Sequence, residues 1–439
     1  MKEFLESCRK HVLMITNHGV HQWRVIPGLP DTGGQNVFVN RFTGELVRLG
    51  FRVTIVNRGG YPHPRTGERR EGFYYKDGQQ RILYLGDGLD EFVRKEDMGE
   101  RIPRLAESLS GFFDSERTTV DLILSHYWDG AQVGVLYNRT LVERVKHIWV
   151  PHSLGSIKKR NVSPDRWDGL RVDERIAVER GLVGGGELDG VAATSSTIRQ
   201  ALEQDYDYAA KASFLPPCVD AERFYPREVS DEDEVWEFLS QRCGLLPREV
   251  RECKIVTEIS RTDTTKRKDV LIKAFAHVQQ RAPNSLLIVS IDEGKRELAG
   301  ELETLIRTLP AQVQAHIAVV GSVWNVLPTL YAVTDVYCTP SVMEGFGMSA
   351  QEAAATGVPV VASHLVPFVT EYLSPSQGAI IVQADDVDGF ARALESLLTN
   401  DDLRKEMGRS AYHVAIPYFT WQNLVPVFLA EIGASSLLE

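Results

Sequence analysis

Short apolar runs alternate with longer amphipathic segments along the chain, and the second half of the sequence repeats the pattern of the first. These runs carry hydrophobic residues on both faces, which is typical of parallel strands that helices cover on both sides. In the first half the predicted strands are 11–16, 52–57, 81–85, 121–125, 147–151 and 190–195. In the second half they are 254–260, 285–291, 316–323, 335–341, 358–363 and 378–382.

The segments between the predicted strands have helical periodicity. After the first strand, for example, Phe38, Phe42 and Leu46 recur at helical spacing, and Gly50 follows where the helix should end. This alternation predicts an α/β fold with two Rossmann-like, doubly wound parallel-sheet domains. Because open parallel sheets bind ligands at the carboxyl ends of their strands, we expect the ligand site in a cleft between the two domains.

A polar, acidic and proline-bearing stretch at 220–241 interrupts the alternation, as a linker leading into a helix would. We therefore predict an N-terminal domain over residues 1–225 and a C-terminal domain over residues 226–417. With 439 residues, of which 43% are hydrophobic, the chain has ample material for two cores.

Composition excludes several classes of function and site. The 49 basic and 60 acidic residues give a net charge of −11, which argues against a general nucleic-acid or anionic-membrane binder. No apolar run is long enough for a spanning helix, and the first residues do not resemble a signal peptide. The five cysteines are scattered and form no C-x-x-C pair, so we expect no disulfide framework, no zinc site and a cytoplasmic location.

The most informative segment follows the predicted strand at 335–341. Gly345 and Gly347 predict a tight loop, and an alanine-rich helix begins at about Ser349. The free N–H groups at such a helix end form an anion site. Glu344 and Glu352 flank it, and their carboxylates could accept hydrogen bonds from ligand hydroxyls. The alternative is an ordinary loop–helix connection with a surface glutamate at each end.

A second segment, 259–275, lies between a predicted strand and an amphipathic helix. It places Arg261 and Lys266 on a loop at the end of the strand. A fixed pair of cations there would stabilise a diphosphate leaving group. The alternative is a solvated basic loop, which is what most runs of charge are.

Together these two segments resemble the signature of the family 4 retaining glycosyltransferases, whose GT-B fold has two Rossmann-like domains facing a central cleft. The E-x7-E spacing is present at Glu344 and Glu352, and the S-R-x-D-x-x-K stretch supplies Arg261 and Lys266. The stretch 419–429 resembles the last helix of the family, which implies that a helix at about 418–439 completes the N-terminal domain. Further stretches are similar to the sucrose-phosphate synthase subgroup: LPDTGGQNVFVN (29–40), SHYWDG (125–130), PHSLGSIK (151–158), RIAVER (175–180) and LPPCVDAERFYP (215–226).

The resemblance implies a nucleotide-sugar donor, UDP- or GDP-hexose, and no metal or other cofactor. Glu352 would bind the donor ribose, and Glu344 would bind hydroxyls of the transferred sugar. The catalytic residues it implies are His152, Arg261, Lys266 and Glu344. The donor-binding residues are Gly33, Gly34, Arg261, Lys266, Glu344, Gly345, Phe346, Gly347, Met348, Ser349 and Glu352.

The resemblance also implies an acceptor site. Four of its residues, listed here, match the positions at which sucrose-phosphate synthases hold the acceptor phosphate: Lys95, Ser153, Lys158 and Arg175. This match favours a small phosphorylated acceptor. Gln35 and His126 complete the set, although His126, like His18, is open to the interpretation of a hydrogen-bonded pocket histidine. Mannosylfructose-phosphate and mannosylglucosyl-phosphoglycerate synthases share this plan and remain alternatives. Cys218, where the family often has glycine, and the residues after Arg261 depart from the usual pattern.

Four other functions compete with hexosyl transfer. A retaining glycosidase could use two carboxylates but would not need Arg261 and Lys266. A nicotinamide oxidoreductase needs G-x-G-x-x-G after its first strand, and that motif is absent. A metal-dependent transferase needs an Asp-x-Asp at a strand end, whereas 231–233 lies in the acidic linker. A non-catalytic nucleotide-sugar-binding protein would keep the donor site without turnover.

Overall fold

The computed structural model describes residues 2–26, 29–292, 296–321 and 323–438. The chain forms two compact units, Met1–Pro216 with Trp421–Glu439, and Pro217–Thr420. The segment 217–225, which the sequence analysis assigns to the N-terminal half, therefore belongs to the second unit. Among the described helices, none is both long enough and apolar enough to cross a bilayer.

The first unit is built on an eight-stranded sheet with the order β3-β4-β2-β1-β5-β6-β7-β8. All neighbouring strands are parallel except β3 and β4. The six predicted strands of this half are confirmed, and the edge strands β3 and β8 were missed. The strands are β1 (His11–Ile15), β2 (Arg52–Arg58), β3 (Gly72–Tyr75), β4 (Gln80–Leu85), β5 (Leu122–His126), β6 (Lys146–Val150), β7 (Gly190–Ala193) and β8 (Ser213–Phe214).

Helices connect these strands, as the alternating pattern predicts. Phe38, Phe42 and Leu46 are buried on one face of the second helix, and Gly50 follows it with a φ of 104°. The helices are α1 (Lys2–Glu6), α2 (Gly34–Arg48), α3 (Ile102–Glu116), α4 (Tyr127–Thr140), α5 (Gly155–Asn161), α6 (Val172–Gly184) and α7 (Ser196–Asp205). Short 3-10 turns cover Lys95–Arg101, Pro164–Arg166 and Asp168–Leu170.

The second unit has a six-stranded, fully parallel sheet with the order β11-β10-β9-β12-β13-β14, and all six predicted strands are confirmed. The strands are β9 (Lys254–Glu258), β10 (Ser285–Ser290), β11 (Ile317–Val320), β12 (Val336–Thr339), β13 (Val360–Ser363) and β14 (Ala379–Val382). The helices are α8 (Glu234–Ser240), α9 (Pro247–Glu252), α10 (Lys268–Val278), α11 (Arg296–Thr308), α12 (Ala311–Ala315), α13 (Leu327–Ala332), α14 (Met348–Ala355), α15 (Val387–Leu398) and α16 (Asp401–Ala415). A 3-10 turn covers Thr264–Lys266, and a π-helical turn covers Val369–Leu373.

The last helix, α17 (Trp421–Glu431), returns to the first unit and packs on α2. The Trp421 ring stacks on Phe42 with 5.9 Å between centroids, and Phe428 meets Phe42 edge-on at 5.8 Å. A 3-10 turn, Ser435–Leu438, follows α17. These aromatic contacts tie α17 to α2 of the first unit.

Candidate active site

In the second unit, a glycine loop leads from β12 into the amino end of α14. Gly347 precedes the helix with a φ of 110°, and a Cβ there would lie 2.7 Å from Cγ1 of Val366, so this position requires glycine. The buried ring of Phe346 anchors the loop against Phe368, with 5.4 Å between ring centroids. A Cβ added to Gly345 would meet no described atom within 4 Å, so the loop leaves open space beside the helix end.

Hydrogen bonds join this loop to the one after β9. The carbonyl of Thr265 accepts the backbone N–H of Val342 at 2.8 Å and the hydroxyl of Ser341 at 3.1 Å. The junction brings the ammonium of Lys266 to 2.5 Å from Oε1 of Glu344. The Lys266 side chain is 9% exposed and that of Glu344 is 19% exposed, so the carboxylate is the more accessible group of the pair.

Arg261 lies exposed on the same loop, near Asp263 and Lys266. Burial alone would raise the pKa of Asp263, but hydrogen bonds from Thr265 and the charges of Arg261 and Lys266 hold that pKa below its usual value. The carboxylate of Asp263 also accepts the N–H of Thr265 at 3.0 Å, which caps the 3-10 turn that carries Lys266. The two predicted cations therefore share one structured loop at the carboxyl edge of the sheet.

Glu352 lies one turn into α14, and the pKa of its carboxyl group is raised. Burial raises its pKa to about 7, against the opposing effect of the nearby Arg223 charge. The Tyr331 hydroxyl lies 3.5 Å from Oε2 of Glu352. The hydroxyl of Ser349, in the first turn of the helix, hydrogen-bonds to the same tyrosine. A carboxyl group that titrates near neutrality is typical of a functional site.

In the first unit, two predicted histidines meet at the carboxyl ends of β5 and β6. Nδ1 of His126 lies 2.9 Å from Nε2 of His152, and the rings are nearly parallel. Burial lowers the pKa of His152 to about 3 and places that of His126 well below the ordinary value. Both rings are therefore neutral near pH 7, and His152 can form hydrogen bonds but is a poor proton acceptor.

His18 follows β1 and is held by a carboxylate that sequence reasoning missed. Its Nδ1 lies 3.0 Å from Oδ1 of Asp129, which is fully buried in the first turn of α4. The backbone N–H of His18 also donates to Oδ2 of Asp129 at 3.2 Å. His18 is thus a buried histidine whose ring a carboxylate orients, an arrangement that fits both interpretations that its sequence left open.

The glycine pair of the first unit lies at the amino end of α2. The N–H of Gly33 donates to the side chain of Asn36 at 2.9 Å, and Gln35 donates to the hydroxyl of Thr16 at 2.9 Å. The φ of 179° at Gly33 is extended backbone, and α2 begins at Gly34. Gln35 is thereby placed at the end of β1, where it contacts Thr16.

Three cations predicted for the acceptor line one cavity of about 60 Å³: Lys95, Lys158 and Arg175. The guanidinium of Arg175 donates to the hydroxyl of Ser153 at 3.0 Å and to that of Tyr127 at 2.5 Å. All four residues matched to a phosphate site are thus brought together. Gln35 and His126 are not among the residues that line this cavity.

Each of these cations has a carboxylate partner. Lys95 lies 2.8 Å from Asp31, and Lys158 lies 3.2 Å from Glu96. Nε of Arg175 lies 2.7 Å from Glu179, which is fully buried. Burial lowers the pKa of Lys158 although Glu96 opposes the shift. The cavity is therefore close to neutral overall, with ammonium and guanidinium groups that already have anionic partners.

Comparison with known proteins identifies the family of the chain. The family model "Glycosyltransferase Family 4" matches residues 32–223, and "Glycosyl transferases group 1" matches residues 248–414. A mannosylfructose-phosphate synthase of Agrobacterium fabrum is 27% identical, covering 97% of this chain and 92% of that protein. A D-inositol 3-phosphate glycosyltransferase of Corynebacterium jeikeium is 28% identical, covering 90% of each chain.

The fold has the same architecture as solved glycosyltransferases. A sucrose-phosphate synthase from Thermosynechococcus elongatus superposes with a TM-score of 0.77 at 22% identity, covering 97% of this chain and 98% of that one. The two family models occur in order along one chain, one almost wholly within its first half and the other within its second half. The protein therefore belongs to the family 4 glycosyltransferases and is a hexosyltransferase with the GT-B fold.

Proposed function

We propose that the protein transfers a hexosyl group from a nucleotide sugar, UDP-glucose or GDP-mannose, to a small phosphorylated acceptor with retention of configuration. The observation that carries the proposal is the cavity that Lys95, Lys158 and Arg175 line together in the first unit. Arg171 lines the same cavity, so four cationic side chains there offer N–H donors for the oxygens of a phosphate group. The relatives named above both have a phosphorylated sugar or polyol in their names.

The acceptor phosphate would bind in competition with the carboxylates that already pair with the cations. Glu96 is the most readily displaced of these partners, since its bond to Lys158 is the longest of the three at 3.2 Å. Glu179 is fully buried and would stay in place to orient Arg175. Arg175 is then the fixed element of the phosphate site, and the two lysines are its adjustable elements.

The donor would bind at the carboxyl edge of the second sheet. The amino end of α14 and the side chains of Arg261 and Lys266 would stabilise the diphosphate, while Glu352 would accept hydrogen bonds from the ribose. Glu344, fixed by its bond to Lys266, would accept hydrogen bonds from the hexose hydroxyls. The positive charges of Arg261, Lys266 and the helix end thus lie where the leaving diphosphate develops negative charge.

The reaction breaks the bond between the anomeric carbon and the terminal phosphate oxygen, and forms a bond from that carbon to the acceptor hydroxyl oxygen. The hydroxyl proton passes to the departing phosphate oxygen, so no side chain has to accept it. This fits His152, whose pKa of about 3 suits a neutral hydrogen-bonding group rather than a base. Attack on the face from which the diphosphate leaves gives retention.

A donor-by-acceptor screen tests the proposal. UDP-glucose and GDP-mannose are each offered with fructose 6-phosphate, 3-phosphoglycerate, glucosyl-3-phosphoglycerate and the unphosphorylated forms, and nucleoside diphosphate release is followed. We expect release with one donor and one phosphorylated acceptor, and an NMR spectrum of the product that shows the anomeric configuration of the donor. Equal release with unphosphorylated acceptors would contradict the phosphate site. Nucleotide-sugar binding without release for every pair would favour a binding protein.

A further inference from the structure

Lys268, the first residue of α10, has a fully buried ammonium group that the proposed reaction does not use. Its Nζ lies 2.9 Å from Oε2 of Glu258, at the end of β9, and the two side chains are 1% and 0% exposed. Neither charge reaches the surface, so neither can contact a substrate. The pair lies directly behind the loop that carries Arg261 and Lys266.

The ammonium group is the centre of a hydrogen-bond network that joins the ends of β9 and β10. It donates to the carbonyl oxygens of Ser260 at 2.9 Å and Ser290 at 2.5 Å. The Ser290 hydroxyl donates to the carbonyl of Ser260 at 2.7 Å and accepts its N–H at 2.9 Å. The Ser260 hydroxyl donates to Oε1 of Glu258 at 2.5 Å. Every polar group of Ser260, the residue before Arg261, is thereby fixed.

Stability alone does not explain this arrangement. Removing two charges from water costs several kcal/mol per ion before their attraction is counted, and apolar side chains of similar volume often serve a core as well or better. A cation in the first turn of a helix is also unfavourable against the helix dipole. The network does, however, determine the direction in which the chain leaves β9.

We propose that Lys268 is a positioning residue for Arg261, and that the Lys268–Glu258 pair sets the place of the Arg261 guanidinium by fixing Ser260. This inference rests on the proposed role of Arg261 in binding the donor diphosphate. Because Arg261 is exposed, its position depends on the backbone from which it projects. A loop held at both of its ends, by Lys268 and by the bonds at Thr265, needs no reorganisation when the diphosphate binds.

The test replaces both charges at once, because Lys268→Met alone would leave Glu258 buried and unpaired. The double variant Glu258→Gln with Lys268→Met keeps the size of both side chains. Binding of UDP and of GDP is measured by titration calorimetry, and the melting temperature is recorded beside it. We expect the Kd of the preferred nucleotide to rise about tenfold, which is the loss of one charge-assisted contact, while the melting temperature stays within a few degrees.

A matched control is an ion pair at the amino ends of the strands in the same sheet. Arg404 pairs with Asp335 at 3.1 Å, and Asp335 accepts the N–H of Ile255 at the start of β9. The variant Arg404→Met with Asp335→Asn should lower the melting temperature without changing nucleotide binding. An equal loss of binding in the control variant would overturn the inference, because the effect would then be general.

A double-mutant cycle with Arg261→Ala separates the inference from the proposed function. If Lys268 acts through Arg261, the paired replacement should add little to the loss that Arg261→Ala already causes. Fully additive losses, or unchanged binding in the paired variant while Arg261→Ala weakens it, would overturn the positioning role alone. If Arg261→Ala itself leaves binding unchanged, the proposed role of Arg261 is wrong, and the inference fails with it.

Discussion

The ammonium nitrogen of Lys266 lies 2.5 Å from carboxylate oxygen Oε1 of Glu344, although 78 residues separate the two along the chain. This contact joins the basic loop after β9 to the glycine loop after β12. In the proposed function the same two groups stabilise the leaving diphosphate and hold the hexose. Each side chain therefore orients the other before a substrate binds.

The first prediction concerns this pair. Lys266→Ala should lower kcat by about a hundredfold or more, because a fixed cation at the leaving group stabilises charge that develops in the transition state. Glu344→Gln should lower it by a similar order, since the amide cannot hold Lys266 as an ion pair. Initial rates of nucleoside diphosphate release and circular dichroism spectra provide the measurement.

The control for both variants is Lys273→Ala, on the exposed side of α10. Its ammonium is 49% exposed and lies 3.7 Å from Asp269, a surface pair of small energetic value. We expect wild-type rates from this variant. Folded Lys266→Ala protein with a wild-type kcat would show that the pair has no catalytic role.

The second prediction concerns the pH dependence of donor binding. Burial raises the pKa of Glu352 to about 7, so the carboxyl is mostly protonated at pH 6 and mostly ionised at pH 8. Ribose hydroxyls donate to a carboxylate more strongly than to a protonated carboxyl. The donor KM should therefore fall as the pH rises, by up to about tenfold over these two units.

Glu352→Gln provides the comparison for this pH profile. The amide does not titrate, so the donor KM of the Glu352→Gln variant should be high and nearly constant from pH 6 to pH 8. If the donor KM of Glu352→Gln depends on pH as that of the wild type does, the titrating group is not Glu352.

The third prediction concerns His152. Because burial lowers its pKa to about 3, the ring stays neutral throughout the range from pH 5 to pH 8. His152→Ala should lower kcat through the loss of a hydrogen bond and leave the shape of the pH–rate profile unchanged. Exposed His413, on α16, is the control position for alanine substitution. Loss of one limb of the profile in His152→Ala alone would instead show a role in proton transfer.

The fourth prediction concerns metal dependence. In the proposed reaction Arg261, Lys266 and the amino end of α14 supply the positive charge that faces the diphosphate. Turnover should therefore survive treatment with EDTA at the wild-type rate. Activity lost in the chelator and restored by magnesium would contradict this assignment of the charge.

Much of the fold could be predicted because its central strands are apolar on both faces, a pattern that few other structures produce. The missed strand β3 is half-exposed and lies at a sheet edge, and β8 has only two residues, so neither has such a pattern. Within the site, the glycine loop before α14 was recognisable because Gly347 adopts a backbone conformation that the tight turn demands.

The partners of the predicted cations were harder to foresee. Asp31 and Glu96 pair with Lys95 and Lys158 across 64 and 62 residues, so only the tertiary fold of the first unit brings them together. Glu179 differs, because it lies four residues after Arg175 on one helix face, a spacing that the sequence itself displays. The pKa of Glu352 depends on burial, which no local pattern encodes.

The most direct test of the central claim compares fructose 6-phosphate with fructose, or the equivalent pair that the screen identifies, in wild type and in Lys158→Ala. Lys159→Ala is the matched control, since its ammonium pairs with exposed Asp173 at 2.5 Å. We predict that Lys158→Ala raises the KM for the phosphorylated acceptor at least tenfold, and changes neither the donor KM nor the weak reaction with the unphosphorylated acceptor. An unchanged KM for the phosphorylated acceptor would contradict the account.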